Sequence, residues 1–195
     1  MRNEIKRLCV FCGSGSGNRI DYADAAQSLG QELLNHNIEL IYGGGHIGLM
    51  GILADTVMQG GGHVIGIIPG FLAKREIAHN TITELRVVGS MHERKALMAE
   101  LADGFIAMPG GIGTFEELME AFTWNQLGIQ TKPCAILNTC NYFEHMLAML
   151  DHAVEEQFLR RVHRDMLLIS TSAAEIIELI QQYKPVTQRT NTTKI

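Results

Sequence analysis

Short apolar runs rich in β-branched residues alternate along the chain with longer stretches whose apolar residues recur at helical spacing. The runs 8–12, 39–42, 63–68, 85–88, 104–108, 134–138 and 167–170 predict strands. The stretches 22–35, 48–59, 91–102, 114–126, 143–157 and 173–183 predict helices. This β-α-β-α rhythm implies an α/β fold, a Rossmann-like doubly wound parallel sheet with helices on both faces. Residues 1–183 are expected to form a single α/β domain, and the polar, unpatterned segment 184–195 a disordered tail.

Composition supports one core. The chain has 195 residues, 46% of them hydrophobic and 19% charged, which gives a globular chain enough apolar mass to bury. Its net charge of -5 provides no general attraction for nucleic acid, so any anion must be caught by local geometry. The first seven residues are charged, and the apolar run that follows is too short for a signal-peptide core or a membrane span. A soluble cytoplasmic protein without a membrane partner is the expectation.

Cys9 and Cys12 form a C-x-x-C, but inside a strand. An odd offset in a strand sends two side chains to opposite faces, which disfavours both a redox pair and a metal pair. Cys134 and Cys140 lack metal-ligand spacing, as do the histidines, so neither a structural nor a catalytic metal is expected.

Three of the predicted strand-to-helix turns are glycine clusters: Gly13 to Gly17, Gly43 to Gly45, and Gly110, Gly111 and Gly113 after Pro109. In parallel sheets such turns are where ligands bind, and glycine lets backbone N–H groups and a helix N-terminus approach an anion. A phosphate site follows, and with it a nucleotide-binding domain. The dinucleotide fingerprint is absent, because Asn18 occupies the third glycine position and the second strand ends Ile41-Tyr42-Gly43 with no carboxylate. No Gly-Lys dipeptide exists to form a P-loop for triphosphates. A mononucleotide or sugar phosphate remains.

Thr114-Phe115-Glu116-Glu117 reads as a T-x-x-E capping box, in which Glu117 would reach back to the Thr114 N–H. The same glutamate, left over once Phe115, Leu118, Met119 and Phe122 fill the core face, points to the glycine loop. Capping and catalysis both stay open for it. Ser90 to Glu93 is a second candidate capping box, followed by Arg94 and Lys95 in the first helical turn, where cations oppose the helix dipole and an anionic ligand would explain them. Leu97, Met98 and Leu101 lie on the same stripe as Arg94, so its guanidinium points inward. The alternative for Arg94 is a structural pairing with Glu76 or Asp103.

Met91-His92-Glu93-Arg94-Lys95 together with Pro109-Gly110-Gly111-Ile112-Gly113-Thr114-Phe115-Glu116-Glu117 resembles the Lonely Guy family of cytokinin riboside 5′-monophosphate phosphoribohydrolases, also labelled lysine decarboxylases. Phe11 to Ser14, Tyr42 to Gly45, Gly48 to Gly51, Arg75 to Ile77 and the segment around Thr123 and Trp124 extend the resemblance over roughly residues 8–157. It implies hydrolysis of the N-glycosidic bond of AMP or N6-prenyl-AMP to free base and ribose 5-phosphate. It assigns Arg94 and Glu117 to catalysis. Glu76, Lys95, Gly110, Gly111, Ile112, Gly113, Thr114 and Thr123 are assigned to substrate binding. The family also implies a homodimer with the site near the interface, and no cofactor. Ile112 and His46 depart from the residues many members carry, Tyr and Ser.

On this reading an ionised Glu117 stabilises the cationic ribose and orients water, Arg94 orients the nucleotide, and Gly110, Gly111, Gly113 and Thr114 donate to the phosphate. Two other classes are weighed against it. One is a nucleotide-sensing module without turnover. The other is a pyridoxal-phosphate-dependent decarboxylase, for which Lys95 is the only plausible Schiff-base lysine.

Overall fold

A computed structural model describes residues 3–73 and 77–185. Its strands are β1 (Arg7–Phe11), β2 (Glu39–Tyr42), β3 (Val64–Pro69), β4 (Glu84–Val88), β5 (Gly104–Ala107), β6 (Cys134–Leu137) and β7 (Leu167–Ser170). They form one sheet in the order β4-β3-β2-β1-β5-β6-β7, and every neighbouring pair is parallel. The chain winds outward from β1 to β4 and then returns to the other side of β1 to lay down β5. The direction of winding therefore reverses between β1 and β5, and the loops leaving those two strands part to open a crevice.

Both faces are covered, as the alternation predicts. Leu8, Val10 and Cys12 pack with α1 (Ile20–Asn35), α2 (Gly48–Gln59) and the C-terminal helix Ala173–Gln182. Cys9 and Phe11 pack on the opposite face with α4 (Met91–Leu101), α5 (Ile112–Gln126) and α6 (Glu144–Glu155). The two thiols of the C-x-x-C thus lie in different layers, and burial pushes both well up from the ordinary thiol range. Neither is poised for redox or metal chemistry.

Two short helices escape the sequence reading, α3 (Gly70–Leu72) and α7 (Arg161–Arg164), because one turn or less carries no periodicity. The strand expected to begin at residue 63 begins at Val64 and runs to Pro69, which pairs with Val88 on the edge strand β4. A proline is tolerated there because the sheet ends beside it. The chain between β3 and β4 is tied back to the turn after β2: His46 N–H donates to Ile77 O at 3.0 Å and His79 N–H to Gly44 O at 2.8 Å. Among the described residues no helix is long and apolar enough to cross a membrane. Most of the segment expected as a tail, and Glu76, lie outside the described residues.

Candidate active site

The loop after β5 leads through Pro109, Gly110 and Gly111 straight into α5, whose first residue is Ile112. Gly111 is the N-cap, with extended backbone and no side-chain cap. The first-turn N–H groups of a helix have no intrahelical acceptor, so this end presents donors and a positive dipole end. It faces the Gly13 to Gly17 loop across a cavity of about 300 Å³ that Tyr22 and Tyr142 also line. The two loops touch: Gly13 N–H donates to Pro109 O at 3.0 Å. A Cβ on Gly110 would lie 2.1 Å from Thr114 Oγ1 and 2.8 Å from Gly13 N, whereas Gly111 and Gly113 face open space. Tyr142 fixes the far wall by donating its hydroxyl to Gly110 O and stacking on Phe115 with ring centroids 6.2 Å apart.

The helix begins two residues earlier than its pattern predicts, and this overturns the capping reading of Thr114 and Glu117. Thr114 is the third helical residue and is buried, so it cannot be an N-cap. The glycines before it bring the N-cap forward to Gly111. Glu117 is accordingly not tied to its own helix start. It is buried on the α4 side of α5, where Arg94 Nη2 donates to its Oε1 at 2.8 Å.

Arg94 projects inward from the first turn of α4, as its stripe predicts. It meets Glu117 rather than Asp103, whose carboxylate accepts the N–H groups of Lys6 and Arg7. The side chains of Arg94 and Glu117 are 11% and 7% exposed. Burial pushes the Glu117 carboxyl above its usual range, against the pull of the Arg94 charge. Arg94 Nε is buried and finds no partner among the described residues. Its Nη1 approaches Met91 Sδ at 3.9 Å, and a Cβ on Gly43 would come within 2.5 Å of its Nη2. Gly43, expected to hold an anion, instead clears the path of the guanidinium.

The second N-cap expectation is met in part. Ser90 Oγ accepts the Glu93 N–H at 3.1 Å, but Glu93 reaches past Ser90 to the Gly89 N–H at 2.8 Å. The cations that follow do not wait for a ligand, since the protein supplies their counter-ions from α5. Lys95 Nζ pairs with Glu116 and, at 3.0 Å, with Glu120.

Gly110, Gly111, Ile112, Gly113 and Thr114 thus gather at the cavity end of α5, with Arg94, Lys95 and Glu117 further along the α4–α5 seam. Thr123 stands apart, about 9 Å beyond Glu117 along the helix, exposed and with its hydroxyl turned back to Met119 O at 2.6 Å. Ile112 is 82% exposed at the lip. Sequence reasoning missed Tyr142, which sits after the 3-10 turn Thr139–Asn141 in which Cys140 and Asn141 adopt left-handed backbone at φ 53° and 58°. No motif marks it. It also missed Glu120, whose one-turn spacing from Glu116 was the available signal.

The family described as possible lysine decarboxylase matches residues 50–180. The chain is 49% identical over 185 residues to a cytokinin riboside 5′-monophosphate phosphoribohydrolase of Arabidopsis thaliana, LOG1, covering 95% of this chain and 87% of that protein. It is 47% identical to a second one, LOG3 of the same plant, covering 98% and 89%. Among solved structures, the molybdenum cofactor carrier protein of Chlamydomonas reinhardtii shares the fold at a TM-score of 0.68 and 21% identity, over 92% of this chain and 98% of that one.

Proposed function

We propose, for a chain that belongs to the Lonely Guy family of cytokinin riboside 5′-monophosphate phosphoribohydrolases, hydrolysis of the N-glycosidic bond of an adenine-type nucleoside 5′-monophosphate, with Glu117 and Arg94 as the catalytic pair. The observation that carries this reading is the buried Arg94–Glu117 contact one helix face away from an uncapped helix N-terminus. Five residues separate Ile112 from Glu117, about 7.5 Å of helix rise. A phosphate seated on the N–H groups of Gly111 to Thr114 therefore points the ribose along α5 toward the glutamate.

As the bond from C1′ to the base nitrogen breaks, the electron pair leaves with the base and positive charge grows on the ribose ring. The Glu117 carboxylate stabilises that charge and takes a proton from the attacking water, whose oxygen bonds to C1′; the proton then passes to the departing base nitrogen, which leaves as the neutral base and restores the carboxylate. Its low-dielectric surroundings strengthen both effects. Arg94, a guanidinium cation, orients the nucleotide and balances negative charge, with its Nε, unpartnered among the described residues, as a donor. Lys95 and Thr123, and Glu76 from outside the described residues, are read as further substrate-binding positions.

A homodimer with the site near its interface supplies the rest of the pocket. In support, Ile112 is exposed at the lip, and Met91, Leu97 and Leu101 of α4 are only partly covered. Thr123 faces outward from the Arg94–Glu117 seam. We read the setting as cytoplasmic, in keeping with the free cysteines among the described residues.

The test is ribose 5-phosphate release from AMP and N6-prenyl-AMP by purified protein. Tight nucleotide binding without base release over hours would instead identify a sensing module. The decarboxylase description does not fit the residues. Lys95 is held as an ammonium by two carboxylates that raise its proton affinity, opposite to what Schiff-base formation requires. Lys132 donates to Ala99 O at 2.6 Å.

A further inference from the structure

Two ion pairs join α4 to α5 side by side. Arg94 meets Glu117, and the next residue, Lys95, meets both Glu116 and Glu120. Glu116 and Glu120 are one helical turn apart, so one ammonium spans them. The Lys95 side chain is only 11% exposed, as is that of Arg94, although Glu116 is half-exposed. Beneath the pairs lies a small gap lined by Phe11, Ala99, Phe105, Ala121 and Trp124. Apolar walls of this kind keep the local dielectric low and make charge balance count.

We infer that Lys95, Glu116 and Glu120 act as a positioning unit for Glu117. The lysine bridges the two carboxylates that flank the reactive one and offsets one of their two negative charges, holds α4 and α5 in register, and leaves Arg94 to Glu117 alone. This rests on the reading of Glu117 as the reactive carboxylate, and it extends that reading by giving Glu116 and Glu120 a task.

Among the described residues the groups that act on Glu117 are few. Arg94 and Lys95 come from α4, Glu116 and Glu120 from α5, and the thiols of Cys9 and Cys12 from the β1 side. The thiols are buried and neutral, so they carry no charge toward it. The two flanking glutamates hold the Glu117 proton on, and the two cations favour its loss. Without Lys95 the carboxylates on either side would stand uncompensated. An ammonium has three donors, and two are committed to this task.

The experiment compares the wild-type chain with Lys95→Gln, Glu120→Gln, Lys95→Arg and the double variant Lys95→Gln/Glu120→Gln. Ionisation of Glu117 is read by carbon-13 NMR titration of glutamate-labelled protein, with Glu117→Gln assigning the resonance, and in parallel by the acid limb of kcat/KM. Lys95→Gln should raise the midpoint by about half a pH unit or more, and Glu120→Gln should lower it. The double variant, which removes one charge of each sign, and Lys95→Arg should return it close to the wild-type value. A Lys95→Gln enzyme with an unmoved midpoint, whatever its KM, would overturn the proposal. Shifts of the same sign in Lys95→Gln and Glu120→Gln would overturn it too, since loosened packing has no charge sign. The NMR titration needs no turnover. A wild-type chain that released no base would sink the hydrolase reading while the charge unit was still tested.

Discussion

Arg94 lies directly over Gly43, so that a Cβ added to the glycine would stand 2.5 Å from Arg94 Nη2, the nitrogen that donates to Glu117. The atom in the way is the far end of a flexible side chain, which can swing aside at small cost to folding. Gly43→Ala should therefore keep its thermal midpoint within a few degrees of the wild type and lose base release by about tenfold or more. Paired melting and initial-rate measurements decide it. A variant that unfolds, or one with full turnover, would show that the guanidinium does not depend on this clearance.

Removing the carboxylate separates chemistry from folding only with the right replacement. Glu117→Ala strands a buried guanidinium without a counter-ion, at a cost of about 3–5 kcal/mol. Glu117→Gln keeps an acceptor for Arg94 and removes only the charge. It should stay folded and release base about a hundredfold or more slowly. Circular dichroism and a ribose 5-phosphate assay on the same preparation check this, and full activity would take Glu117 out of the reaction.

The layers of the fold were open to reading because each rests on a local repeat. The alternation in β1 put Cys9 and Cys12 on opposite faces, and the apolar stripe turned Arg94 inward. The pairing of Arg94 with Glu117 was not readable, since 23 positions separate them and only the sheet sets α4 beside α5. For the same reason the cations of α4 looked as though they needed a ligand, when Glu116, Glu117 and Glu120 wait on the neighbouring helix. The Thr114 cap failed for a different cause: a glycine loop lets the helix start sooner than its side-chain pattern does. Tyr142 depends on left-handed backbone at non-glycine residues, which no pattern announces.

The phosphate cradle has its own signature. A Cβ on Gly110 would meet Thr114 Oγ1 at 2.1 Å and the Gly13 backbone nitrogen at 2.8 Å, and the backbone cannot step aside as a side chain can. Gly110→Ala should push the two loops apart and raise KM for AMP by about tenfold or more. Affinity for the free nucleoside, which carries no phosphate, should change far less. Equal losses for nucleotide and nucleoside would place the phosphate elsewhere.

The last prediction sets activity against stability across one range of pH. Burial raises the Glu117 carboxyl above its ordinary value of 4.5, with Arg94 opposing. A carboxyl that holds its proton more tightly in the folded chain contributes stability below the unfolded pKa and loses it as pH rises through the folded one. The reaction needs the ionised form, so base release should rise over the same window in which this contribution fades. The acid limb of kcat/KM, which reports the free enzyme, should have its midpoint above 4.5, and urea unfolding of the wild type relative to Glu117→Gln should show a matching loss. A kcat/KM that stays level down through the ordinary carboxyl range would mean that another group carries the negative charge opposite the ribose.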